Sequence, residues 1–162
     1  MAIHNIIEAV NLALKEEMKR DDRVIVLGED VGVNGGVFRA TVGLLEEFGD
    51  NRVIDTPLSE NGIVASALGM AVNGLRPVAE IQFMGFVYYI LNHIICHAAR
   101  LRNRTRGRLT APLVIRAPYG AGIRAPEHHS ESTEALFTQI PGIKVVVPST
   151  PKDTKGLLTS AI

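Results

Sequence analysis

Short apolar, largely β-branched runs separated by helix-length segments constrain this chain more than any other feature. Val24–Leu27 (VIVL), Val53-Ile54, Val78–Phe83 (VAEIQF), Leu113–Arg116 (LVIR) and Lys144–Val147 (KVVV) are too short for stable helices. A strand that is apolar at successive positions is covered on both faces, the signature of a parallel sheet. The intervening stretches have helical spacing. In residues 3–20, Ile6, Ile7, Val10, Leu12, Leu14 and Met18 fall close to a 3.6-residue period, with Lys15, Glu16, Lys19 and Arg20 opposite. Phe38–Phe48, the small-residue stretch 60–74, residues 84–102, Ser132–Ile140 and the segment from Asp153 read as further helices. Ser59 supplies an N-cap and Gly74 a terminator. Strand and helix alternate throughout, so the expected fold is α/β: a parallel sheet with helices on both faces, forming one domain over residues 1–162.

Composition excludes several classes. Lys plus Arg is 17 and Asp plus Glu is 17, so the net charge is +0 and a nucleic-acid platform loses support. A single cysteine, Cys96, excludes an internal disulfide framework and fits a reducing, cytoplasmic setting. The N-terminal MAIHNIIEAVNLALKEEMKRD lacks the continuous apolar core of a secretory signal. Residues 81–99 (IQFMGFVYYILNHIICHAA) are long enough to raise a membrane span, but Gln82, Asn92, His93 and His97 interrupt them. A buried helix is expected there, with no membrane partner. The sequence stops at Ile162 inside an expected helix, as a longer chain shown in part would.

Four segments carry possible chemistry. GEDVGVNGG (28–36) is glycine-rich, but it is neither a dinucleotide fingerprint nor a P-loop. His93 and His97 stand at i and i+4 beside Cys96, a zinc-like spacing that lacks the glutamate of H-E-x-x-H. A packed helix and a small metal hydrolase both fit those three residues. Glu60, in DTPLSENG, stands at a strand-to-helix transition, where ligands of open α/β sheets collect. It serves there either as a helix-dipole partner or in chemistry. His128-His129, in APEHHSESTE, follow a Gly/Pro-rich loop and are either proton-transfer groups or solvated loop residues.

Taken together, GEDVGVNGGVFRAT, RVIDTPLSENGIVASALGMAVNGLRPVAEIQF and HHSESTEALFTQIPGIKVVVPSTPKDTKGLL resemble one family over essentially the whole sequence. It is the β subunit of the E1 component of 2-oxo acid dehydrogenase complexes, thiamine-diphosphate enzymes acting on pyruvate or branched-chain 2-oxo acids. The match covers the N-terminal half of that β chain, its pyrimidine-binding domain. The resemblance implies that Glu60 hydrogen-bonds N1′ of the aminopyrimidine. A carboxylate there favours the imino tautomer, whose nitrogen removes the neighbouring thiazolium proton and leaves a carbon nucleophile. It further implies that Met84 and Tyr88 pack on the aminopyrimidine, with Leu58 nearby, and that His129 donates a proton when the acyl group passes to the lipoyl group of the E2 acyltransferase. Here the family's H-S-Q segment reads His129-Ser130-Glu131, with a carboxylate in place of the amide. Asn92-His93 stand where relatives often carry Asp-Gln.

Potassium ligation by backbone carbonyls of some members maps to Leu113, Ala161 and Ile162. The G-D-G…N motif for the diphosphate and Mg²⁺ has only the fragment Gly49-Asp50-Asn51, out of context. The resemblance therefore implies an α subunit that holds Mg²⁺, an α2β2 assembly, and interfaces on helices 59–74 and 84–101. The HHSES and TEALF segments look nearer to branched-chain and broad-specificity members. A non-catalytic α/β partner-binding domain is the competing reading from another class.

Overall fold

The computed structural model describes residues 4–162. Helix α1 (Ile6–Arg20) begins where Asn5 and Glu8 form a reciprocal capping box, each side chain bonded to the other's backbone N–H. Residue 3, where the sequence pattern starts, lies outside the described residues. Strand β1 (Val24–Gly28) follows, with all five residues buried. Next come α2 (Leu44–Phe48), β2 (Val53–Asp55), α3 (Glu60–Val72) and β3 (Arg76–Glu80). A 3₁₀ segment (Met84–Ile90), a π-helical segment (His93–Ala98) and the short α4 (Leu101–Arg104) lead to β4 (Val114–Arg116). A 3₁₀ turn (Ala121–Ile123), α5 (Ala135–Thr138) and α6 (Pro151–Ala161) complete the chain.

The four strands are all parallel, in the order β2-β1-β3-β4. Two apolar layers confirm helices on both faces. One contains Val10, Leu14 and Met18 of α1 with Val24, Val26, Leu44, Val53, Val78 and Ile162. The other contains Leu27, Ala79 and Ile81 with Ile63, Val64 and Ala67 of α3 and with Val87, Ile90 and Ile94. Val26 and Leu27, like Val78 and Ala79, point to opposite layers, as the two-residue period of a strand requires. The chain leaves β1 for β2 on one side and β3 on the other. The order therefore reverses at the carboxyl end of β1, the position where open α/β sheets form a ligand crevice.

Four expected elements differ, one being the helix expected over Ser132–Ile140, which is reduced to α5 (Ala135–Thr138). Residues 38–43 are turns and not the start of a helix, because Arg39 and Gly43 have φ of 61° and 79°. The expected helix 84–102 is broken into 3₁₀, π and α pieces. Its first part is crowded with β-branched and aromatic residues, which are poor helix formers, and Gly85 is pinned against the backbone of a distant loop. Among the described residues no helix is long and apolar enough to cross a membrane. Finally, 144–147 is not a strand. Val145 packs on the second layer, while Val146 and Val147 are about half exposed, and the three-residue β4 remains the sheet edge.

Candidate active site

Four carboxylates gather where β1, β2 and β3 end: Glu29 and Asp30 after β1, Asp55 closing β2 and Glu80 closing β3. Glu60 opens α3 immediately after the β2 loop. Most of this charge is satisfied locally. Asp55 accepts the backbone N–H groups of Gly32 at 2.6 Å and Val33 at 3.1 Å, tying the glycine-rich loop to the sheet. Asp30, at φ 60°, accepts from Asn34 at 2.9 Å. The buried Glu80 is paired with Arg116 of β4. Glu29 and Glu60 have no side-chain hydrogen-bond partner among the described residues. Partial burial, with repulsion from Asp30 and Glu60, holds the Glu29 carboxyl above its ordinary pKa. Glu29 went unmarked by the sequence reading, although the G-E-D following a buried strand was the available signal.

The start of α3 is built for exposure of Glu60. Ser59 Oγ accepts from the Gly62 N–H at 3.2 Å, so the cap is provided by the preceding residue and the Glu60 carboxylate is left for other work. It opens on a depression of about 440 Å³ lined by Leu58, Ser59, Glu60, Asn61, Phe86 and Tyr89. The structure thus brings Glu60 and Leu58 together, as the sequence suggested, but completes the walls with Phe86 and Tyr89. Met84 packs partly buried on the second core layer, and Tyr88 turns toward His128, with ring centroids 6.5 Å apart. The local geometry explains this partition. Side chains three apart align in a 3₁₀ helix, so Phe86 groups with Tyr89, and Val87 groups with Ile90 in the core.

The His128-His129 turn folds onto the same 3₁₀ segment. The His129 ring meets Phe83 and Phe86 edge-on, at centroid distances of 4.6 and 5.2 Å. Phe86 therefore touches His129 while lining the Glu60 depression, and it joins the two candidate centres. His129 Nδ1 lies 2.9 Å from the carbonyl oxygen of Glu127. A carbonyl only accepts, so Nδ1 carries the proton and Nε2 of the neutral ring keeps its lone pair. The Glu131 carboxylate beside Tyr88 holds that phenol above its ordinary pKa.

The other expected sites fare differently. His93 and His97 lie with ring centroids 5.8 Å apart, but no cluster of three His, Cys, Asp or Glu residues suited to a metal occurs among the described residues. No hydrolytic zinc centre is built from them. Among the potassium candidates, the Ile162 oxygen accepts from Arg76 Nε at 2.6 Å. Leu113 is half-buried immediately before β4, and Ala161 ends α6. The aminopyrimidine of thiamine diphosphate fits better: a carboxylate without an internal partner faces a depression walled by aliphatic and aromatic side chains.

Comparison with known proteins decides the family. Residues 4–162 match the model of the transketolase pyrimidine-binding domain. The chain belongs to that family. Pyrimidine-binding domains similar to it occur in the pyruvate dehydrogenase E1 component subunit beta of Acholeplasma laidlawii (56% identical) and of Bacillus subtilis strain 168 (57%). The 2-oxoisovalerate dehydrogenase subunit beta of the same Bacillus strain is 52% identical. Each match covers all of this chain and 50% of the relative, so the chain spans about half the length of those proteins. A solved split-gene transketolase, described as an inactive beta4 tetramer, shares the fold at a TM-score of 0.72 with 20% identity, over 97% of this chain and 46% of that one. The resemblance to E1 β subunits thus holds along the whole pyrimidine-binding domain.

Proposed function

We propose that this chain is the pyrimidine-binding part of the β subunit of a 2-oxo acid dehydrogenase E1 enzyme. The observation that carries the proposal is Glu60: a carboxylate capped from outside, unpartnered, and open to an aromatic-walled depression at the switch point of the sheet. Thiamine diphosphate, when bound, supplies the carbon nucleophile and the electron sink for decarboxylation of a 2-oxo acid. Glu60 holds a proton at the ring nitrogen of the pyrimidine, and Phe86, Tyr89 and Leu58 exclude water from that contact. Met84 and Tyr88, the residues suggested by the resemblance, act from behind this wall. His129, through Nε2, serves the later transfer of the acyl group to the lipoyl group of an E2 acyltransferase. An α subunit in an α2β2 assembly supplies the Mg²⁺ and diphosphate contacts. The exposed faces beside Glu60, including Leu58 at 73% and Tyr89 at 65% exposure, are where it would dock.

The test uses the full-length protein co-expressed with its α chain. Reduction of an artificial acceptor is followed with pyruvate and with branched-chain 2-oxo acids, with and without thiamine diphosphate. Cofactor-dependent turnover that collapses in Glu60→Gln supports the proposal and ranks the substrates. Cofactor binding without turnover on any 2-oxo acid points to another thiamine-dependent reaction, and absence of binding points to a partner-binding domain.

A further inference from the structure

Seven arginines and no carboxylate fall between Ile81 and Pro126, although the chain as a whole balances 17 bases against 17 acids. The remainder therefore carries ten bases against 17 acids and is net negative. Five of the seven, Arg100, Arg102, Arg104, Arg106 and Arg108, stand at alternate positions within nine residues, and all five are exposed. Elsewhere bases are neutralised on the spot: Lys15 and Lys19 share Glu47, Arg20 pairs with Glu17, and Arg116 with Glu80. None of the five has a carboxylate partner among the described residues. The segment is nonetheless a folded turn. After α4, Arg106 (φ 54°) and Gly107 (φ 80°) reverse the chain, and the Gly107 N–H donates to the Arg102 carbonyl at 2.7 Å. Thr105 Oγ1 donates to the Leu101 carbonyl at 2.9 Å and accepts from the Leu109 N–H at 3.0 Å. Arg100 and Arg104 donate to the carbonyls of Ile95 and Cys96, at 3.1 and 2.8 Å, and tie the turn to the π-helical segment. Arg108 donates to the Thr105 carbonyl at 3.2 Å, whereas Arg102 and Arg106 make no side-chain hydrogen bond among the described residues.

Like charges held this close repel one another, and the turn keeps them together with no counter-charge of its own. The guanidinium group presents a planar fork that matches a carboxylate with two hydrogen bonds. A turn already fixed by its own hydrogen bonds loses little freedom when a partner binds. Its place sets it apart from the candidate active site. The turn lies on the connection that enters β4 at its amino end, whereas Glu60 and His129 follow the carboxyl ends of β2 and β4. We propose that the 100–108 turn is a docking surface for a short, carboxylate-rich segment of a partner protein other than the α chain. Length and charge select that partner over a phosphate polymer. Nine residues in a helical turn span roughly 14 Å, which about four or five extended residues cover. A nucleic acid or a bilayer extends past the patch onto surface where acids outnumber bases, and is repelled there. A short acidic segment ends with the patch. The proposal uses the reading of the preceding subsection only in placing the α chain beside Glu60, at the other end of the sheet.

The experiment uses the full-length protein co-expressed with its α chain, and a fluorescein-labelled hexaglutamate peptide followed by anisotropy. Hexaglutamine and a short single-stranded RNA are the comparison probes. Hexaglutamate should bind where hexaglutamine does not. Binding should fade as salt shortens the screening length from about 10 Å to about 3 Å. Arg102→Gln combined with Arg106→Gln removes two charges and no internal side-chain hydrogen bond. It should weaken hexaglutamate binding about tenfold, the scale of two exposed ion pairs, with the αβ complex intact. Arg20→Gln combined with Arg23→Gln removes the same charge from positions that already have carboxylate partners, and should leave binding within about twofold of the parent. Equal binding of hexaglutamine overturns the proposal, as does hexaglutamate binding that ignores the Arg102 and Arg106 changes or falls as much with those at Arg20 and Arg23. RNA that binds more tightly than hexaglutamate, and is lost with the same two arginines, assigns the turn to nucleic acid instead. An αβ complex that dissociates in the Arg102 and Arg106 variant assigns it to the α interface, and the proposal fails.

Discussion

Replacing Arg116 by methionine tests how the sheet carries charge beneath the candidate site. Glu80 closes β3 with 3% of its side chain exposed, and Arg116 closes β4 with 16% exposed. The two residues are direct partners in the β3–β4 register. The pair sits under the glycine-rich loop, where a Cβ on Gly36 would lie 3.2 Å from Glu80 Oε1. Arg116→Met keeps the bulk of the stem but strands a buried carboxylate, a change that costs about 3–5 kcal/mol when the partner of a buried ion pair is lost. That is roughly a 10²- to 10⁴-fold rise in the opening equilibrium of the β3–β4 ends. Replacing both partners, Glu80→Leu with Arg116→Met, removes the charge and the stranded group together. It should return stability to near the parent level, because a desolvated pair about breaks even with an apolar one. Native-state amide exchange at Val78, Ala79 and Val114, in the full-length assembled protein, reads this directly. A single variant with parent-like exchange, or a double variant as open as the single, refutes the reasoning.

Other outcomes follow from single contacts. Asn5→Ala removes the capping box of α1 and should lower stability by about 1 kcal/mol, seen as a lower melting temperature. Asp55→Ala leaves the Gly32 and Val33 amides without their acceptor, for a loss of about 1–3 kcal/mol, with faster exchange at those two amides. Gly85→Ala forces a Cβ into the His128 carbonyl and should free the 127–131 turn to protease while leaving β1 exchange unchanged. Glu29→Gln concerns pH. The folded protein holds the Glu29 proton more tightly than the unfolded chain does, so its ionisation opposes folding as pH rises through the ordinary carboxyl range and up to its raised value. The variant should therefore melt higher than the parent at neutral pH and together with it below the carboxyl range. A gap that widens toward acid would contradict the assignment.

The parts of this fold that were legible in the sequence are those decided by local pattern. The buried β1 run, the Ser59 cap and the α1 stripe each appear with bounds close to expectation. The parts that were not legible depend on distant partners. Residues 84–102 are apolar enough for one long helix, yet the contact of Gly85 with His128, over forty positions away, accompanies a tighter 3₁₀ winding at its start. That change of period replaces Met84 and Tyr88 with Phe86 and Tyr89 at the Glu60 depression. Lys144–Val147 has strand composition, but a strand exists only through a neighbour's hydrogen bonds, and no ladder reaches it. Glu60 was legible through the family resemblance, because a carboxylate at a helix start also serves the helix dipole. Glu29 was obscured by Asp30 beside it, and they differ in that Asp30 accepts from Asn34.

The pairing of α1 with α6 has a consequence for synthesis. The apolar stripe of α1, with Leu14 and Met18 at its centre, is finished by Ile162 after α6, and Lys155 reaches back to Glu16 at 2.8 Å across 139 residues. A ribosome adding about 5–20 residues per second takes about 7–28 s to make that stretch. For that interval the first helix to emerge has no completed bed for its apolar side, and β1 awaits β3 as its second neighbour. The nascent segment is thus sticky along α1 until α6 arrives. Holding chaperones that engage α1 before α6 emerges should raise the yield of folded protein more than those that act later.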